Sequence, residues 1–228
     1  MTKAELLKRG FDIIIGLALA VVVTPLIILL AVGSCVSFRA WPFFTQWRLG
    51  KDQRPFRFIK IRSLPPSTER HADKYALESV QNTRFGRFLR RTHLDELPQL
   101  WLVVIGRMSL VGPRPEMPAL AARFDRKFVE LRCQVRPGCT GLWQLSDGKH
   151  KLIGEAPKYD VYYVGHRTTR LDCWVLARTV LALFGLCRPI DLRSVPRWTQ
   201  KRELEFSGVL TTIETTPHHV MDEAAKAS

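Results

Sequence analysis

Acidic residues are scarce in this chain: 21 Asp and Glu stand against 35 Lys and Arg over 228 residues, for a formal charge of +14. Such a balance points to nucleic acid, an anionic membrane surface or anionic substrates as partners. Paired cysteine motifs are missing too. Five cysteines, at 35, 133, 139, 173 and 187, are odd in number and show neither metal-ligand nor redox spacing. That excludes a zinc ribbon or a disulfide framework and reads as reduced thiols in a cytosol-facing protein. The six histidines are scattered, and His218-His219 lie in a polar tail, so no metal is assigned to them. Internal repeats are absent, which excludes a solenoid. No Walker or dinucleotide-binding glycine pattern occurs.

One long apolar run is present, over residues 13–34. As a helix it would extend roughly 33 Å, about the hydrocarbon thickness of a bilayer. Thr24-Pro25 sits at its middle, where proline removes a backbone donor and bends a helix. Lys3, Lys8 and Arg9 precede the run, and Arg39, Arg48 and Lys51 follow it. The positive-inside rule asks for both flanks on the cytoplasmic side. A helix that enters, breaks at Thr24-Pro25 and returns satisfies that, with Thr24 bonding a carbonyl freed by the break. The residues alone leave re-entrant and spanning helices both open. The run is long for a signal peptide and leads into a basic domain, so it reads as retained. A second apolar stretch, 171–186, carries Asp172, Arg178 and Gly185 and reads as an interfacial helix, or else a core helix.

The basic residues are mixed with aromatic and aliphatic ones, as in Arg54-Pro55-Phe56-Arg57-Phe58-Ile59-Lys60. Alternation over 43–61, with a turn signal at Gly50-Lys51-Asp52, predicts a β-hairpin of 43–48 with 56–61. Residues 64–82 read as a polar loop followed by a short helix. Helical periodicity over 84–106 carries the apolar stripe Leu89, Leu97, Leu100, Trp101 and Val104. Residues 159–186 read as largely helical with a break near Gly165, and 203–228 as a mobile tail.

The chemistry-bearing stretch is Thr92-His93-Leu94-Asp95-Glu96-Leu97-Pro98-Gln99-Leu100. It places two adjacent carboxylates after Arg84, Arg87, Arg90 and Arg91. One carboxylate can attack or take a proton while its neighbour holds a metal ion. A helix starting near 92–94 would put both in its first turn, where free amides favour anions and where many acidic pairs only complement the dipole. Gly112-Pro113-Arg114-Pro115-Glu116 is too constrained for helix, and its two prolines aim Arg114, either into solvent or at a phosphate. Arg136-Pro137-Gly138-Cys139-Thr140-Gly141 is a second glycine-proline turn that could offer backbone amides to an anion.

In order along the chain these segments resemble the bacterial sugar transferases, the monotopic phosphoglycosyl transferases. The landmarks are Lys8-Arg9-Gly10-Phe11-Asp12, the apolar segment with its central X-Pro, Gln46-Trp47-Arg48-Leu49-Gly50 and Phe58-Ile59-Lys60-Ile61-Arg62-Ser63. Then come the Leu94–Leu100 stretch, Met108-Ser109-Leu110-Val111-Gly112-Pro113-Arg114-Pro115, Arg136-Pro137-Gly138 with Thr140-Gly141-Leu142-Trp143-Gln144, and Tyr159-Asp160-Val161-Tyr162-Tyr163. The resemblance implies transfer of a sugar-1-phosphate from a UDP-sugar to a polyprenyl (undecaprenyl) phosphate, the first step of surface polysaccharide or glycoconjugate assembly. It implies Asp95 as the nucleophile that carries a covalent phosphosugar, and Glu96 as a Mg²⁺ ligand beside it. Lys60, Arg90 and Arg114 would bind phosphates, with Gln46, Arg48 and Arg136 as donor-site candidates. Other implied partners are membrane lipids and a second copy or further polysaccharide-assembly enzymes, with no nucleic acid. The implied location is the cytoplasmic face of the bacterial inner membrane. Arg107 stands where an aspartate is usual, and His93 where a small residue is common.

The expected fold is a mainly helical α+β domain. It comprises a re-entrant helix-break-helix anchor over 1–36, a catalytic domain over 37–200 with a small β-hairpin and interfacial helices, and a polar tail over 201–228. Three other readings compete: a catalytically silent relative that scaffolds an assembly complex, favoured by Arg107; a basic nucleic-acid binder; and a lipid-phosphate hydrolase using the same dyad.

Overall fold

The computed structural model describes residues 2–69 and 80–199. Most of the segment expected to hold a short helix before Asn82, and the tail, lie outside the described residues.

Helix α1 spans Lys3–Phe38. Thr2 caps it and Glu5 closes a capping box, so two amide donors that a helix start leaves free are satisfied. Arg39, in the left-handed region at φ 46°, ends it. Helical conformation runs through Thr24 and Pro25 without a gap, so the two halves expected on either side of those residues form one continuous helix. Proline deletes one amide donor, and in a 36-residue helix the flanking turns keep theirs. The Thr24 hydroxyl donates to Ala20 O at 2.7 Å, the carbonyl one turn back.

The buried positions of α1 are Asp12, Gly16, Ala20, Ile27, Leu30, Ala31 and Ser34. Spaced three or four apart for the most part, they form a stripe along one side. The other sides expose Ile14, Val22, Ile28, Leu29, Val32 and Val36. Along the stripe α1 lies on the rest of the protein. Near its start, Arg9 donates to Val103 O and Val104 O at 2.6 and 2.8 Å. Near its end, Ser34 donates to Arg62 O at 2.8 Å and Ser37 to the Thr83 hydroxyl at 3.0 Å.

Strands β1 (Phe43–Leu49) and β2 (Pro55–Ile61) form the expected antiparallel hairpin, with Phe43 opposite Ile61. Its turn uses Asp52 and Gln53 at positive φ. Helix α2 (Arg84–Thr92) is capped by Thr83 and stopped by His93 at φ 57°. A 3₁₀ turn over Leu94–Glu96 follows, and then α3 (Gln99–Val104). The dyad therefore precedes α3 instead of occupying an α-helical first turn. Left-handed His93 reverses the chain, and Pro98 sits at the N-cap of α3, where a missing N–H costs nothing.

β3 (Ser109–Val111) pairs in parallel with β4 (Gly138–Thr140). Gly138–Thr140, within the Arg136–Gly141 segment, is thus a strand, which corrects the reading of that stretch as a turn. Its Gly138 amide donates to Pro113 O and the Gly112 amide donates to Thr140 O, both at 2.9 Å. A Cβ on Gly112 would fall 2.6 Å from Arg136 O, so glycine serves close backbone approach here. Helices α4 (Pro118–Ala121), α5 (Arg126–Arg132) and α6 (Leu142–Leu145) precede α7 (Lys158–His166) and α8 (Thr169–Leu183). The last two are separated at Arg167-Thr168, close to the expected break. α8 answers both readings of its sequence. Leu171 and Val175 enter the core, whereas Val180, Leu183 and Phe184 are exposed. The core gathers Phe56, Met108, Leu110, Phe128, Leu142, Val161 and Leu171 under β3.

A buried polar cluster fixes α1 to β3. Lys8 Nζ lies 2.9 Å from both Asp12 and Asp172. Asp12 accepts from the Ser109 hydroxyl at 2.8 Å and from the Leu110 amide at 3.2 Å. Tyr163 Oη lies 2.8 Å from both Asp172 Oδ1 and Val111 O. Asp12→Ala leaves Leu110 N–H and one face of Lys8 unpaired, and it should cost about 3–5 kcal/mol. Thermal unfolding in detergent checks this, with exposed Leu7→Ala as the unaffected control.

Candidate active site

β2 and the 3₁₀ turn bring the sequence-predicted residues together. Asp95 points inward and is 4 % exposed. Its Oδ2 accepts from the Ser63 hydroxyl at 2.9 Å and lies 4.0 Å from Lys60 Nζ. Ser63 lies two residues past the end of β2, and Asn82 Nδ2 holds its carbonyl at 2.7 Å. Lys60 also stands over the Phe44 ring at 5.5 Å. Burial raises the Asp95 carboxyl above the ordinary range, against the pull of Lys60. The same burial lowers Lys60, against the pull of Asp95.

Glu96 turns the other way, onto Arg114. The two guanidinium Nη atoms meet its two oxygens at 2.6 and 3.3 Å. Burial alone would raise Glu96, but the charge and hydrogen bonds of Arg114 exceed it and hold this carboxyl at about 2. In return Glu96 raises the already high pKa of Arg114. The two neighbours therefore differ in kind: Glu96 is a fixed anion in an ion pair, whereas Asp95 is a desolvated carboxylate with one hydroxyl donor, Ser63, among the described residues.

Arg114 does not rest on its prolines alone. Arg132 donates to Arg114 O at 2.6 Å while pairing with buried Asp160 at 2.9 Å. Glu116 pairs with Arg48 at 2.8 Å, and Arg48 donates to Gln46 Oε1 at 2.7 Å. Burial pulls Arg48 down to about 10, against the charge of Glu116. The fields of Arg114 and Glu96 also act on Arg48, and that of Arg90 acts on both Lys60 and Asp95. Lys60 and Arg114 thus contact the dyad, Arg90 and Arg48 lie close enough for their charges to act on it, and Gln46 reaches it only through Arg48.

Arg136 does not converge. It donates to Gly106 O at 3.0 Å, beyond the C-terminus of α3, whereas the dyad precedes the N-terminus of that helix. There it joins Arg9 in satisfying the end carbonyls of α3. Arg107 lies at this same far end and is exposed, so the position with an unusual cation is not beside the carboxylates. Thr24 accepts from Trp101 Nε1 at 3.2 Å, which ties the Thr24-Pro25 turn of α1 to α3. Sequence reasoning assigned no role to Ser63, Glu116, Arg132 or Asp160. Ser63 was visible only as the end of the β2 motif, and the others depend on contacts between distant segments.

Among the described residues no group of three or more His, Cys, Asp or Glu side chains converges, so no all-protein metal cage exists there. Arg114 engages both oxygens of Glu96, so the remaining lone pairs of that carboxylate and Oδ1 of Asp95 would be the protein oxygens offered to a hard divalent ion such as Mg²⁺, which keeps several waters and takes its other oxygens from phosphates. A pair of carboxylates among four cations suits a phosphorylated ligand.

Comparison with known proteins agrees with this geometry. Residues 3–185 match the bacterial sugar transferase family. The chain is 34 % identical over 188 residues to a UDP-N-acetylgalactosamine-undecaprenyl-phosphate N-acetylgalactosaminephosphotransferase of Aeromonas hydrophila, covering 78 % of this chain and 44 % of that protein. It is 33 % identical over 192 residues to the UDP-glucose:undecaprenyl-phosphate glucose-1-phosphate transferase of Escherichia coli K12, covering 79 % and 40 % respectively. Similarity to the exopolysaccharide production protein ExoY of Sinorhizobium fredii is 29 % over 192 residues, 77 % of this chain and 84 % of that one. The chain spans less than half the length of the first two relatives. With four-fifths of its length matched and the dyad set among the expected cations, the chain belongs to the bacterial sugar transferase family.

Proposed function

We propose that this protein transfers a sugar-1-phosphate from a UDP-sugar to a polyprenyl phosphate, undecaprenyl phosphate being the acceptor in the names of its relatives. The reaction would begin a surface polysaccharide or glycoconjugate. The observation that carries the reading is the asymmetry of the dyad. Ser63 and Lys60 hold Oδ2 of Asp95, which leaves Oδ1 to attack. Attack on the sugar-bearing β-phosphorus forms an aspartyl phosphosugar and breaks the bond to the α-phosphate, releasing UMP. An oxygen of the lipid phosphate then attacks the same phosphorus and breaks the aspartyl bond, which restores the carboxylate. Two displacements at one residue give ping-pong kinetics.

A carboxylate approaching a pyrophosphate meets charge repulsion, and the cations must cancel it. Lys60 and Arg90 stand beside Asp95, and Arg114 is held rigid by Glu96 and Arg132. Glu96 and Asp95 would hold Mg²⁺, which when bound supplies further neutralisation of the phosphate oxygens.

The anchor suits a soluble donor and a lipid acceptor. Arg9 and Ser37 lie at opposite ends of α1, yet both bond the same domain. A straight spanning helix would carry one end across about 30 Å of hydrocarbon. Contact at both ends, with apolar side chains exposed between, supports a re-entrant, monotopic anchor bending near Pro25 at the cytoplasmic face. The scaffold reading loses its main support because Arg107 lies away from the dyad.

UMP release from a panel of UDP-sugars, with Mg²⁺ and undecaprenyl phosphate, tests the reading. Asp95→Asn should lower release at least about a thousandfold with folding retained. Wild-type turnover in that variant would remove Asp95 as nucleophile. EDTA should abolish turnover, and full activity in its presence would sink the metal role of Glu96. The rate should also depend on pH through Asp95. Because burial raises its folded pKa, activity is lost as pH falls through a value above the ordinary 3.8. Lys60→Met removes the largest influence holding that pKa down, so its acid limb should move to higher pH. A limb that stays put in a pH–rate profile would show that another group titrates.

A further inference from the structure

Among the described residues no strand pairs with the outer edge of β1. Arg62 N donates to Pro42 O, and Gly50 N donates to Arg54 O, which places the even-numbered residues of β1 in the bonded pairs with β2. The odd-numbered residues turn their N–H and C=O groups the opposite way. Leu49 shows this: it faces Pro55, which has no N–H, and its own N–H donates away from β2 to Glu116 O at 2.8 Å. Thr45 and Trp47 present their backbone groups to the same open edge. Among the described residues neither finds a backbone partner there.

That edge lines a cavity of about 300 Å³. Met117, Pro118 and Ala119 form the facing wall, and Trp47 and Arg57 flank it, the guanidinium 5.8 Å from the indole. The cavity adjoins the site. Gln46 lines it and bonds Arg48, which pairs with Glu116, two residues beyond Arg114. Gln46 stands opposite Phe58, two residues along β2 from Lys60, a separation of about 7 Å.

We propose that this groove holds the nucleobase of the nucleotide donor, its imide edge bonded to the outward backbone groups of Thr45 and Trp47. The inference rests on the donor reading above. An imide presents N–H between two carbonyls, the complement of the alternating N–H and C=O groups along a strand edge. Apolar walls with an indole suit a flat ring. The volume lies at the low end for ligand cavities, enough for a base with its ribose and too small for a whole nucleotide sugar. A peptide strand is a poorer occupant, because the Leu49–Glu116 bond closes one end of an edge only seven residues long. With the base here, the pyrophosphate runs along β2 toward Lys60 and Asp95.

The test uses UMP as probe, calorimetry on the full chain in detergent, and UDP-sugar kinetics. Thr45→Pro removes an outward donor without deleting a ladder bond. Ala119→Trp, at an exposed position, fills the cavity. Both should weaken UMP binding by about tenfold or more, with KM rising by more than kcat falls. Melting temperatures near wild type establish that each variant is folded. Wild-type UMP affinity in either folded variant overturns the proposal. Failure of the donor reading looks different: wild-type protein then releases no nucleoside monophosphate and binds no UMP, which removes the groove assignment with it.

Discussion

The pairing of Glu96 with Arg114 is the constraint on which the site depends. It joins the 3₁₀ turn to the β3–α4 loop across 18 residues of sequence. It also decides what its neighbour is. With Arg114 engaged by Glu96, Asp95 keeps one hydroxyl donor and a lysine 4.0 Å away, and burial leaves it basic. Two chemically similar residues, adjacent in sequence, thereby stand in different environments: one a fixed anion that orients a guanidinium, the other a desolvated carboxylate outside that ion pair.

Around that pair the structure is built in supporting layers. Arg132 and Asp160 hold the backbone of Arg114, and Arg48 holds Glu116 just beyond it. Each of these charged groups is paired, as their burial requires. Farther out, the Lys8–Asp12–Asp172 cluster bolts α1 to β3, the strand that leads directly into the Gly112–Arg114 turn. Helix α1 and the turn that carries Arg114 are therefore tied together through β3.

The far end of α3 shows the opposite use of arginine. Arg9 and Arg136 lie there as like charges, stabilised by three backbone carbonyls at a helix C-terminus. Their work is to hold α3, and through it the dyad that precedes it. A basic chain of this kind spends many of its cations on architecture, so positive charge by itself locates no binding site.

The sequence by itself determined the local elements: the apolar α1, the hairpin and its register, the stop at the two prolines around Arg114, and the break between α7 and α8. These follow from periodicity and turn chemistry, which act over a few residues. It also placed Asp95, Glu96, Lys60 and Arg114 as the candidate site through an ordered set of motifs. Only the tertiary structure decided which carboxylate pairs with which cation, that Ser63 holds Asp95, that Arg136 and Arg107 stand at the wrong end of α3, and that a glycine-rich turn is a parallel strand. Those outcomes depend on segments distant in sequence meeting in space, where burial and a single hydrogen bond outweigh local preference.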